Sequence, residues 1–127
     1  MSIQKPTESE LEILQILWQK GEATVREIND EINRTKEAGY TTTLKLMQIM
    51  HEKGLLVRDI SSKQHIFRAN ISEEETKNSL LNRFIETTFQ GNAMNLVMQA
   101  LGNHHASEDE LAQLKEFLNQ LDGRNEI

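Results

Sequence analysis

Three consecutive threonines, Thr41, Thr42 and Thr43, followed by Lys45 and Gln48, form the most chemically suggestive group in this 127-residue chain. β-Branched residues are poor inside a helix but acceptable at its start. There, hydroxyls and the free N–H groups of a first turn can meet phosphate oxygens. Threonine methyls can also touch thymine methyls in a major groove. A second group lies just downstream, with Lys53, Arg58, Lys63, His65 and Arg68 at or beyond the expected helix end. Bases carried on a short hairpin can lie along a sugar-phosphate backbone. Both groups also admit a plain reading, as the polar face of a capped helix and a solvated turn. Their succession favours phosphate contact.

Other chemistries find little support. The chain has no cysteine, which excludes disulfides, thiolate metal sites and a thiol nucleophile. No Gly-rich phosphate loop, HExxH pattern or Gly-x-Ser-x-Gly elbow occurs. His104-His105 reads as a polar loop, since adjacent histidines seldom ligate one ion together. The acids Glu73, Glu74 and Glu75 sit where helix capping explains them. No enzyme activity, metal or cofactor is expected.

The net charge of −6 looks wrong for a nucleic-acid binder, but it is unevenly distributed. Residues 1–70 hold ten Lys/Arg and ten Asp/Glu, whereas residues 71–127 hold four and ten. Local charge decides phosphate contact. Between 40 and 68 five bases face two acids, Glu52 and Asp59. The start of the chain has acids and no apolar run, and no stretch approaches the ~18 apolar residues of a membrane helix. A cytoplasmic protein without membrane insertion is expected.

Periodicity supplies the elements that position these groups. Leu11, Leu14, Ile16, Leu17 and Trp18 give a helix over about 9–19, capped by Thr7 or Ser9 and stopped by Gly21. Thr24 caps a second, over about 25–33, with Val25, Ile28 and Ile32 on one face. The third runs from Thr41 or Thr42 to Lys53, with Leu44, Met47 and Met50 inward. Leu55–Asp59 and His65–Ala69 read as strands around a turn at 61–64. Three helices and a hairpin make a winged helix, so the expected fold is mainly α with a small β-hairpin.

Beyond Ser72 three further helices follow, the last stopped by Gly123. They carry Leu80, Leu81, Phe84, Ile85, Phe89, Met94, Val97, Leu101, Leu111, Leu114, Phe117 and Leu118. Three short helices scarcely enclose so many apolar side chains alone, and apolar burial is worth ~25 cal/mol per Å². A second copy of the chain is the natural outlet. These twelve are the expected dimer interface, and the chain divides into a DNA-binding domain, 1–70, and a helical dimerisation domain, 71–127.

The pattern Thr7-x-x-Glu10-x-x-Ile13-Leu14-x-x-Leu17-Trp18, then Ala23-Thr24-Val25-x-x-Ile28, Tyr40-Thr41-Thr42 and Glu52-Lys53-Gly54-Leu55-Leu56, resembles the BlaI/MecI/CopY penicillinase-repressor family. The resemblance spans roughly residues 6–121. It implies repression by a homodimer bound to a palindromic operator in double-stranded DNA. Thr41, Thr42, Thr43 and Lys45 would fall on the recognition helix, and Lys63 and His65 on the wing. It also brings in a membrane sensor protease as a candidate partner, because β-lactam-responsive members are cut at an Asn-Phe bond. Here the matching stretch reads Leu96-Val97-Met98-Gln99-Ala100-Leu101, without that bond. The cysteine pairs of copper-responsive members are missing too. A winged-helix protein–protein adaptor that binds no DNA is the alternative reading.

Overall fold

A computed structural model describes residues 5–103 and 105–125. Met1–Gln4 and His104 of the expected polar loop lie outside them. The elements run α1 (Glu8–Lys20), α2 (Val25–Ile32), α3 (Tyr40–Glu52), β1 (Leu56–Asp59), β2 (Ile66–Ala69), α4 (Glu73–Phe89), α5 (Ala93–Asn103) and α6 (Glu108–Asn125). This is the expected winged-helix order, mainly helical with one antiparallel hairpin. The described chain divides into two compact units, one up to Leu81 and one from Asn82, so the seam falls inside α4.

The first unit is built around an apolar centre. α1 contributes Ile13, Leu14 and Leu17, α2 contributes Val25, Ile28 and Ile32, and α3 contributes Met47 and Met50; Ala23, Leu55, Leu56 and Phe67 complete it, all nearly inaccessible. Three- and four-residue spacing in each helix directs these side chains to one face. Thr7 and Glu10 cap α1 reciprocally, and Thr24 and Glu27 do the same for α2. Gly54 takes φ 84° and turns the chain from α3 into β1, a conformation open to glycine at little cost.

The hairpin register pairs Leu56 with Ala69, Val57 with Arg68, Arg58 with Phe67 and Asp59 with Ile66. Ala23 adds an antiparallel bridge to Phe67, with reciprocal N–H to O bonds of 3.0 and 2.8 Å. Ala23, just before α2, thus joins the hairpin by a single bridge outside the two strands. It ties the hairpin to the helices.

The second unit has a different texture. From Asn82 onward, no described residue is buried. Phe84 meets Phe89 edge-on at 5.7 Å. Yet Met94 and Leu118 remain 67% and 55% exposed. Gly123, expected to stop the last helix, lies within α6 instead. Glycine lowers helix stability by about 1 kcal/mol against alanine and does not forbid the conformation.

Candidate nucleic-acid interface

The start of α3 is set by the loop before it. Asn33 closes that loop: its Nδ2 donates to the carbonyls of Asn29 and Ala38, both at 2.8 Å, and its Oδ1 accepts the Ala38 N–H at 3.0 Å. Gly39 then occupies the N-cap position in an extended conformation, with no side-chain cap. α1, α2, α4, α5 and α6 all have a side-chain acceptor at their start, from Thr7, Thr24, Ser72, Asn92 and Ser107. The first-turn N–H groups of α3 therefore lack such a partner, next to the exposed Thr41 and Thr42.

α3 divides into faces as a 3.6-residue period requires. Met47 and Met50 are buried, whereas Thr41, Thr42, Lys45 and Gln48 are exposed on adjoining positions. Thr43 corrects the sequence expectation. It is 3% exposed, and its hydroxyl donates to Asn29 Oδ1 at 2.7 Å. It docks α3 on α2 and has no surface to offer a ligand. Leu44, expected in the core, is only partly buried and turns towards a groove.

That groove, of about 360 Å³, is bounded by the starts of α2 and α3 and by the hairpin. Gln48 rises from α3, Arg58 from β1, and Lys63, Gln64 and His65 from the hairpin turn. The structure thus brings together four of the expected residues, Gln48, Arg58, Lys63 and His65. Thr41, Thr42 and Lys45 lie outside its lining, on the exposed face of α3.

Two further expected contacts, Arg68 and Lys53, do not line the groove either. Arg68 pairs across the ladder with Val57 and so occupies the hairpin face opposite Arg58 and Phe67. It lies on the side of Asp59, whose carboxyl is held below its usual range chiefly by the Ser61 backbone N–H and, to a lesser extent, by Arg68. Lys53 stands at the far end of α3, where its Nζ lies 2.7 Å from Glu10 Oε2. Glu10 is 1% exposed. Burial alone would raise its pKa. The Lys53 ammonium and the Thr7 N–H outweigh burial and lower it.

Arg26 and Tyr40 also line the groove and were not among the expected contacts. Arg26 lines the groove from α2, and its guanidinium carbon lies 5.7 Å from the centroid of the Tyr40 ring. A faint signal existed. The first turn of a helix favours acids, and a base two residues after the threonine cap goes against that preference.

Comparison with known proteins agrees with this architecture. The family described as penicillinase repressor matches residues 6–120. A penicillinase repressor of Staphylococcus aureus is 25% identical over 113 residues, covering 89% of this chain and 90% of that one. The methicillin resistance regulatory protein MecI of Staphylococcus aureus strain N315 is 26% identical over 112 residues, covering 88% and 91%. Among solved structures, a MarR family protein from Bacillus stearothermophilus superposes with a TM-score of 0.51 at 21% identity, over 95% of this chain and 76% of that one. It shares the fold.

Proposed function

This chain belongs to the penicillinase repressor family, a family of transcriptional repressors rather than enzymes, and from that premise we propose that it represses by binding a palindromic operator in double-stranded DNA as a homodimer. The exposed face of α3 enters the major groove, with Thr41, Thr42, Lys45 and Gln48 towards base edges and phosphates. The hairpin sets Arg58, Lys63 and His65 along the adjoining backbone. The observation that carries this reading is the continuity of that surface: hydroxyls, amides and cations run from the uncapped start of α3 to the hairpin turn. Within it, Lys45, Arg58 and Lys63 take part in none of the ion pairs among the described residues.

The homodimer rests on the C-terminal helices, α4 to α6. Residues 71–127 act as the dimerisation domain and residues 1–70 as the DNA-binding domain. Phe84, Met94, Val97, Leu101, Leu111, Phe117 and Leu118 are each more than two-fifths exposed in a single chain. An apolar surface of that extent marks an interaction site, and a second copy covers it. Such a repressor works in the cytoplasm, and no described helix is long and apolar enough to cross a membrane. For a membrane sensor protease, the only support is the family resemblance.

The test is a titration of the full chain with a duplex from upstream of its own coding region, at two salt concentrations. Binding at nanomolar concentrations that weakens steeply with salt is expected. Failure to bind any duplex in dilute salt overturns the reading in favour of a protein–protein adaptor.

A further inference from the structure

We propose that Arg26, seated on the ring of Tyr40, is a phosphate-contact residue that grips duplex DNA from the α2 side of the groove. This rests on the DNA-binding reading of α3 and the hairpin, and extends the contact surface to an element that reading leaves out.

Four observations converge on Arg26. It lines the same groove as Arg58, Lys63 and His65, so cations come to that groove from two separate parts of the fold. Its charge is unspent, because it takes part in none of the ion pairs among the described residues. The nearest acid in sequence, Glu27, is occupied instead by the Thr24 backbone N–H at 2.9 Å. Finally, Arg26 stands in the first turn of α2, where the helix dipole opposes a cation. Local helix stability does not account for a base at that position; a neighbouring anion would.

Tyr40 supplies what a flexible side chain lacks. A guanidinium over an aromatic face is attracted by the ring quadrupole. The stack restricts the arginine before any ligand arrives, while its N–H edge can still reach two phosphate oxygens. Tyr40 is also the first residue of α3, so the arginine is indexed to the helix that enters the DNA. Tyr40 is here a positioning residue. A phosphate contact carries no sequence information, so Arg26 strengthens binding to any duplex.

The experiment is fluorescence anisotropy on the full chain, with a labelled duplex from its own upstream region and a second of scrambled sequence, across a salt series. R26A is expected to weaken both by a similar factor, about five- to tenfold at ~0.1 M salt, and to lower the salt slope by ~1. R26K keeps the slope and recovers part of the affinity, since charge remains and the fork is lost. Y40A weakens binding, and adding it to R26A brings little further loss.

An R26A variant with unchanged affinity and slope, while K63A alters both, overturns the inference and leaves Arg26 as a staple between α2 and α3. A loss confined to the upstream duplex also overturns it, because that marks a base contact. Wild-type protein that binds neither duplex removes the DNA reading itself, and the inference with it.

Discussion

The Glu10–Lys53 pair shows how a residue can be basic, stand at the end of α3, and still serve the fold. Glu10 is buried, and Lys53 is about a third exposed. Removing one partner of a buried pair strands the other. Lys53→Ala is expected to cost about 2 kcal/mol, less than the full penalty because solvent reaches the lysine; urea denaturation reads it. The folded-state pKa of Glu10 lies below its unfolded value. Its contribution is therefore complete above the unfolded pKa and is lost as pH falls through the folded one. Wild-type stability should drop on acidification below the ordinary carboxylate range, and Glu10→Gln should flatten that drop in melts taken across those pH values. On the exposed face, Lys45→Ala is expected to weaken duplex binding several-fold while leaving the melting temperature unchanged. An unaltered affinity would remove Lys45 from the interface.

At the scale of the element, α3 differs from the other helices in giving up a side-chain cap. Gly39 has φ −80° and ψ 146°, which any residue can adopt, and a Cβ there would meet only Thr42 Oγ1, at 4.0 Å. Gly39→Asp should therefore fit and cap the helix. It is expected to raise stability by a few tenths of a kcal/mol, yet weaken duplex binding by placing a carboxylate where phosphate approaches. Opposite signs in a thermal melt and a binding titration on the same variant are the signature. A gain in both would mean that the start of α3 does not face DNA. The loop before it should be less forgiving. Asn33→Ala removes three hydrogen bonds, with an expected cost of about 1–2 kcal/mol.

For the whole molecule, the claim to test is that the second unit is completed by another copy. Phe117→Asp puts a charge on the exposed apolar surface of α6 and should leave a monomer in sedimentation equilibrium, with helical content retained. Affinity for a duplex carrying both half-sites should then fall towards that for one, since linked binding gains from effective concentration. A dimer that survives this change and Leu118→Asp as well would mean that α6 is not the seam.

Helix positions, their caps, the hairpin and the family were legible in the chain itself. A helix announces itself by apolar residues three and four apart, and its start by Thr7, Thr24 or Ser107 with a glutamate three positions on. Those signals are local, and the structure follows them. The groove was less legible. Thr43 resembles its two neighbours in type, but one further step of about 100° around the helix turns it from solvent to Asn29. Arg68 resembles Arg58, but the two-residue period of a strand sends it to the other face of the hairpin. Lys53 has the chemistry of a phosphate ligand, and only the packing of α1 against α3 gives it a carboxylate instead. Arg26 and Tyr40 are fourteen residues apart in sequence, and the turn that Asn33 holds brings one over the other. Residue types and their spacing determined which elements form. Which side chains share a surface was decided when those elements packed, because each rotates about its own axis until its apolar stripe is covered.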